Sequence, residues 1–247
     1  MGFSYNTMPE NPPATQQSDT SRRHAEPEAI AVRVVYEDED LFVIDKPPGM
    51  VVHPTYRNWS GTLLNALLWL VRDRPDARPS IVTRLDKDTS GLVVVALSPE
   101  IHARVQRNAA AGRMKKEYLA IVRGIPEPAS GVLSMPLARS IEDRRRVVIT
   151  PSGQISHTHY EVVSSLRGVA LVKCELITGR THQIRVHLAG RGWPILGDPT
   201  YGVPHPALPR QALHAWRVSL PHPVSQTPLQ FDVPLPADLR DVVAEFS

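Results

Sequence analysis

Cysteine is almost absent from the 247 residues. Cys174 stands alone, so neither an internal disulfide nor a cysteine-based zinc cage can form, which suits a reducing compartment. It lies in the alternating run 169–177, where a small buried thiol is expected. Long apolar runs are missing too: the longest, residues 63–71, contains Asn65 and falls far short of the ~20 residues a membrane helix needs. The N-terminus lacks the basic-then-apolar order of a signal peptide, and Asn6 stands where a myristoylation signal has Ser or Thr. The cytoplasm is the expected location, and a membrane is not an expected partner. No Gly-x-Gly-x-x-Gly follows a strand, no Walker-type Gly-x-x-x-x-Gly-Lys occurs, and Ser90 lacks the Gly-x-Ser-x-Gly elbow. Redox, kinase and serine-hydrolase chemistry lose their usual supports. Ten histidines invite a metal, yet His182 and His187 do not share a helix face, and only His157 and His159 share a strand face. With no Cys or clustered carboxylate beside them, no metal is expected.

Proline, by contrast, is abundant: the 24 are roughly twice the ~5% average, which implies many loops and argues against a helix bundle. At 42% hydrophobic and 21% charged residues the composition is that of a globular protein long enough for a sizeable core. Residues 1–30 hold four prolines, many small polar residues and no apolar periodicity, and read as a disordered tail. Residues 31–247 read as the folded domain.

Within it, residues 32–36 and 41–45 are β-rich and flank an acidic stretch, the pattern of a hairpin. Residues 61–74 carry Leu64, Leu67, Leu68 and Val71 on one helical stripe that Pro75 ends. The run 91–97 is continuously apolar and β-branched, as expected of a central strand covered on both faces. Ser98-Pro99-Glu100 supplies an N-cap, a first-turn proline and an acid at the positive end of a helix that stops at Gly112. Strand-like runs recur at 117–123, 147–150, 157–164, 169–177, 212–220 and 229–233, with helices over 181–189 and 237–246. The expected class is α+β, a large mixed, mainly antiparallel β-sheet flanked by helices.

The net charge of +3 names no partner, but its distribution is more telling. Residues 100–150 contain ten Lys and Arg (Arg104, Arg107, Arg113, Lys115, Lys116, Arg123, Arg139, Arg144, Arg145, Arg146) against five acids. Polyanion binding follows naturally from such a segment, although a run such as Arg144-Arg-Arg146 also suits a solvated loop.

The densest cluster of unusual residues is Thr83-Arg-Leu-Asp-Lys-Asp-Thr-Ser-Gly91, directly before the apolar run. Asp86, flanked by Arg84 and Lys87 where a buried strand begins, is a carboxylate accompanied by cations in a partly dry place, suited to act as nucleophile or base. A capped turn with structural salt bridges accounts for the same residues. The segment Arg84-Leu-Asp86-x-x-Thr-Ser-Gly-Leu92 resembles the signature of the RluA-type family of RNA pseudouridine synthases around its catalytic aspartate. Further blocks resemble that family in its own order. They are Lys46-Pro-Pro-Gly49 with Val52-His-Pro54, Gly61-Thr-Leu-Leu-Asn-Ala-Leu67, Lys116-Glu-Tyr118-Leu-Ala120-x-Val122-x-Gly124, Thr178-Gly-Arg-Thr-His-Gln-Ile-Arg185-Val-His-Leu188 with Gly197-Asp-x-x-Tyr-Gly202, and Leu213-His-Ala215. Two departures stand out: Thr83 occupies a position where the family often has His, and residues 1–30 are too few and too polar for the S4 RNA-binding domain that many relatives carry.

The resemblance implies the pseudouridine synthase catalytic fold and isomerisation of specific uridines in structured RNA, ribosomal or transfer, with no cofactor and no metal. It implies that Asp86 is the carboxylate, whether it attacks C1′, adds to the base or takes a sugar proton, and that Arg185 pairs with it. Tyr118 is implied to pack on the flipped base and Ile184 to line the same pocket. Arg84, Arg180 and His182 are expected to contact substrate, with Arg84 filling the gap left by flipping or meeting phosphate. Lys115, Lys116, Arg139, Arg144, Arg145 and Arg146 are candidate phosphate contacts. RNA is the expected partner, DNA is not, and a monomer is expected. Two other readings compete: an RNA-binding or assembly protein that has lost the chemistry, and a metal-dependent hydrolase built on the histidines.

Overall fold

The structure, a computed structural model, describes residues 24–55 and 58–247. Its elements run β1 (Arg33–Glu37), β2 (Leu41–Lys46), α1 (Leu63–Leu70), β3 (Ser80–Ile81), β4 (Ser90–Ala96), α2 (Pro99–Ala110), β5 (Lys115–Arg123), β6 (Ser130–Ser134), β7 (Leu137–Arg139), β8 (Val147–Ile149), β9 (His157–Ser165), β10 (Val169–Leu176), α3 (Gln183–Gly190), β11 (Leu213–Pro221), β12 (Pro228–Asp232) and α4 (Ala237–Glu245). One large sheet has the order β1-β2-β4-β11-β5-β10-β9-β6, with β12 on β11 and β3 on β4, while β7 and β8 form a separate two-stranded arm. Among the described strands β4 and β11 make the one parallel pair, and every other pairing is antiparallel. The α+β class expected from the pattern is the observed one.

The two-sided burial of β4 explains its sequence. All seven of its residues are buried. Val93 and Val95, with Phe42 and Ile44 of β2, belong to a core that includes Leu63 and Leu67 of α1. Leu92, Val94 and Ala96, with Leu41 and Val43, join the opposite core with Ile101 and Val105 of α2. Successive strand residues point to opposite faces, so a strand covered on both must be apolar throughout. The β1–β2 turn is held by Asp38, whose Oδ1 accepts the amides of Asp40 and Leu41. The start of α2 is held by Ser98, whose Oγ accepts the Ile101 amide.

Some expectations need correction. Helix α1 spans Leu63–Leu70 rather than 61–74, because Thr62 and Asn65 close a capping box at one end and the chain turns from Val71 at the other. Residues 24–30 do not stand apart from the body: the Glu28 amide donates to the Asn65 carbonyl, the Glu28 carboxylate accepts the Gly61 amide, and the Glu26 carbonyl accepts from the Asn65 side chain. The rest of the expected disordered tail, residues 1–23, lies outside the described residues. Strands β3, β6 and β7 were not foreseen; each is short, and none carries an apolar alternation.

Where β4 meets β11 the backbones nearly touch. Gly91 adopts φ +109°, and a Cβ there would lie 2.2 Å from the Ala215 carbonyl oxygen. Gly91→Ala therefore has to push two central strands apart and strain its own backbone, a cost of about 3 kcal/mol or more. A fall in melting temperature of roughly 6–12 °C, read by circular dichroism, is the expected outcome.

Candidate active site

The loop 83–90 enters the head of β4, and each of its last residues is used to seat it. Thr89 Oγ1 accepts from Gln211, Ser90 Oγ bonds His214 Nδ1 at 2.9 Å, and Gly91 allows the close approach to Ala215. His214 Nε2 lies 3.2 Å from the Val233 carbonyl, which accepts only, so Nδ1 accepts the Ser90 proton. Two buried cations hold the loop's carbonyls. Lys46 Nζ donates to Lys87, Met50 and Pro47, and Arg210 donates to Asp88 while Asp238 grips its guanidinium at 2.6 and 2.9 Å. Burial pushes the Lys46 ammonium down to about 8. Thr83, the departure from the family pattern, accepts the Val94 amide through Oγ1. The Thr-Ser-Gly end of the signature is thus architectural, and what it presents is Asp86.

Arg185 Nη1 donates to Asp86 Oδ2 at 2.8 Å. Its other two nitrogens are engaged elsewhere: Nε donates to Asp198 Oδ2 at 2.7 Å and Nη2 to Asp198 Oδ1 at 2.8 Å. The bidentate grip fixes the plane of the guanidinium and so the direction from which it meets Asp86. Asp198 is fully buried and also accepts the amides of Thr200 and Tyr201. Burial works against its charge, but Arg185 and the two amides outweigh it and hold the carboxyl below its usual value. Burial likewise disfavours the Arg185 cation, and Asp198 and Asp86 more than restore it.

Around this pair the fold brings together Arg84, Leu85, Asp86, Thr89, Tyr118, Leu176, Arg180, His182, Ile184, Arg185 and Leu213 as the lining of one cavity. Every residue expected to be catalytic or to contact substrate is among them. Tyr118 comes from the middle of β5, opposite Cys174 of β10 and Ala215 of β11, and is buried. Burial first and Asp86 second push its phenol well above the ordinary range, so it remains a neutral donor at physiological pH. Gln183 shapes the rim: its Oε1 accepts from Thr178 and the Arg180 amide, and its Nε2 donates to His157 and Thr158. Cys174 is fully buried, and burial pushes its thiol up to about 12, so it is inert.

The candidate phosphate contacts divide. Arg84, Arg139 and Arg180 line a groove of about 410 Å³ that runs on from the cavity along the β7–β8 arm. Arg144 and Arg146 are exposed on that arm, with the Arg146 guanidinium 5.7 Å over the Tyr201 ring. Arg145 is held by both oxygens of Asp143, at 2.9 and 3.0 Å, which cancels its charge locally. Lys116 shares the strand face of Tyr118 and reaches Gly179 at the rim, whereas alternation turns Lys115 to the other side of the sheet, away from the groove. The expectation of Lys115 and Arg145 as phosphate contacts therefore loses its geometric basis.

Metal ligation was not expected of the histidines, yet Asp38, Asp40 and His222 lie close enough for it among the described residues. His222 Nδ1 accepts the amides of Val224 and Ser225, so its proton sits on Nε2 and points at Asp38. Tyr36 donates to the same carboxylate. Asp38 and His222 are thus already engaged with protein partners, and the proton on His222 Nε2 stands where a cation would need a lone pair. The residues that sequence reasoning passed over are Asp198 and Tyr201; both stand in Gly197-Asp-x-x-Tyr-Gly202, which was recognised as a block but given no task.

Asp198→Asn places an amide N–H against the guanidinium fork. We expect kcat to fall by about 10²-fold as Arg185 swings off its line to Asp86, with KM changed far less. The Asp198 carboxyl is depressed in the fold, so its stabilisation is present above the ordinary carboxylate value and lost as pH falls through the folded value. The variant should flatten that acid limb in urea titrations across pH.

Comparison with known proteins agrees with the geometry. A sequence profile described as RNA pseudouridylate synthase matches residues 40–190. The chain is 44% identical over 233 residues to the ribosomal large subunit pseudouridine synthase D of Nitrosomonas europaea, covering 90% of this chain and 67% of the relative. It is 42% identical to the protein of the same name in Zymomonas mobilis, covering 88% and 73%. Among solved structures, the human RNA Pseudouridylate Synthase Domain Containing 4 superposes with a TM-score of 0.71 at 26% identity, covering 86% of this chain and 92% of that one. With a buried arginine aimed at Asp86 in a cavity that Tyr118 also lines, and with relatives at this level of identity over most of its length, the chain belongs to the RNA pseudouridylate synthase family.

Proposed function

We propose that this enzyme isomerises uridine to pseudouridine in large-subunit ribosomal RNA, with Asp86 as the catalytic carboxylate. The observation that carries the reading is the 2.8 Å bond from Arg185 to Asp86 Oδ2, which leaves Oδ1 free at the edge of a cavity lined by Tyr118. The reaction breaks N1–C1′ and forms C5–C1′; C5 loses a hydrogen and N1 gains one, so no electrons leave and the atoms balance without a redox partner. A free carboxylate oxygen serves attack at C1′ and removal of a sugar proton alike. Tyr118 offers a flat face and a neutral hydroxyl to the detached uracil, and Ile184 and Leu213 keep that base in an apolar slot while it turns. The ribosomal substrate is supported by the names of the two bacterial relatives.

The flanking strand of RNA follows the groove of Arg84, Arg139 and Arg180, where phosphates meet guanidinium groups. The same reading has the enzyme act as a monomer on RNA. We place the enzyme with its ribosomal RNA in the cytoplasm.

Mapping pseudouridine across ribosomal RNA from cells with and without the protein should show a site that disappears with the gene. Asp86→Asn, which keeps size and removes charge, should fold and fail to restore it; restoration by that variant would take Asp86 out of its role. Tyr118→Phe should keep most binding and lose turnover. Replacing Arg139, Arg144 and Arg146 by Ala should flatten the log-log salt dependence of RNA affinity by roughly 0.7–0.9 per lost phosphate contact, whereas Arg145→Ala should leave it nearly unchanged.

A further inference from the structure

Among the described residues only His182 and Gln226 combine a side chain with a positive φ. Gln226 lies in an exposed turn. His182 stands at the N-cap of α3 with φ 55° and ψ 16°, yet its side chain makes no capping bond. The left-handed backbone is therefore not spent on the helix. It turns the imidazole into the cavity instead, where Nε2 lies 3.9 Å from Asp86 Oδ1. That gap is too long for a hydrogen bond.

The proton on this ring has a defined place. Nδ1 faces the Tyr201 hydroxyl at 2.8 Å, and the Tyr201 oxygen already accepts the Val147 amide at 2.7 Å. The phenolic proton then has Nδ1 as its partner, and the imidazole carries its own proton on Nε2, towards the carboxylate. Burial disfavours a second proton on the ring. Tyr201 is itself held, with the Arg185 guanidinium 5.1 Å over its ring. The result is an N–H donor and a carboxylate acceptor facing each other across a space that one oxygen atom, about 2.8 Å from each, would fill.

Only a group that accepts and donates at once satisfies both sides. A uracil carbonyl would set its lone pairs against Oδ1, and a base N–H would oppose the imidazole proton. A hydroxyl fits, and the hydroxyl nearest the bond being broken is the one on the carbon next to C1′. We infer that His182 Nε2–H and Asp86 Oδ1 together hold the 2′-hydroxyl of the target ribose, with Tyr201 as the positioning residue that keeps the proton on Nε2. This rests on the proposed reaction at Asp86 and deepens it: the enzyme tells RNA from DNA at the reacting nucleotide itself. It also fixes the sugar while the base is loose, so C1′ stays in register as uracil turns.

The test uses a synthetic fragment of large-subunit ribosomal RNA around the mapped uridine, made with pseudouridine at the target and, separately, with its 2′-deoxy counterpart, so that both bind without turnover. The wild-type protein should bind the hydroxyl-bearing RNA about tenfold more tightly. His182→Asn tolerates the left-handed backbone but is too short to reach the gap, and the ratio should collapse towards one. Tyr201→Phe, which frees the imidazole proton to move, should lower the ratio part-way. A merely structural His182 would weaken both RNAs equally and leave the ratio intact, which would overturn the inference, as would a wild-type ratio near one. If the wild-type enzyme isomerises the uridine fragment and the ratio is flat, this inference alone fails; if it does not isomerise that fragment, the ribosomal reading fails and takes this one with it.

Discussion

The guanidinium of Arg185 is shared between two carboxylates, and the site depends on how unequally it is shared. Asp198 takes two of its nitrogens and Asp86 one. A buried arginine and a buried aspartate are expensive to desolvate, and the expense is recovered only when geometry is close to ideal and the remaining lone pairs are filled. Here the amides of Thr200 and Tyr201 fill them. The bidentate pair is the anchor, and Asp86 is set against an already rigid cation. Its own loop must then be equally rigid, and the donors that seize the carbonyls of Lys87 and Asp88 supply this from the opposite side. The Asp86 carboxylate is located by cations it never touches as much as by the one it does.

Much of this was legible in the sequence where one physical cause acted alone. The unbroken apolar run of β4 has no explanation except cover on both faces, and the Ser-Pro-Glu start of α2 is a local hydrogen-bonding statement independent of the fold. Strands β6 and β7 were not legible because they are short and each holds a single buried residue, so neighbours rather than residue type make them strands. Asp198 was hidden for a related reason. A lone acid after glycine reads as a turn, and only the arrival of Arg185 from α3 makes it an anchor. Glu26 and Glu28 were read with the polar tail they end, since bonds to the distant residues Gly61 and Asn65 leave no periodic trace.

The arginine-lined groove shows how far charge counting reaches. The basic excess in residues 100–150 pointed to a polyanion, but the fold sorts those cations by whether they are already spent. Arg145 answers Asp143, Arg104 answers Glu100, and Arg139 is left facing the groove. A run of three arginines is thereby less cationic than its sequence suggests. The β7–β8 arm is joined to the catalytic centre through Tyr201, whose hydroxyl meets the Val147 amide and whose ring lies under both Arg146 and Arg185. The proposed phosphate contact and the proposed sugar recognition meet at one phenol.

The position of β11 in the sheet governs how such a chain can be made. The strand follows β10 in the chain, yet it is the seam that joins β4 to β5, and without it the sheet is two halves with open edges. During synthesis the first half and the β5–β10 half can each gather their local hairpins, but they cannot be welded until β11 has left the ribosome. Asp86 belongs to one half, while Tyr118 and Arg185 belong to the other. The candidate site is therefore completed in one event, when β11 joins the two halves, and a nascent chain that stops short of β11 has no half-built one to misuse.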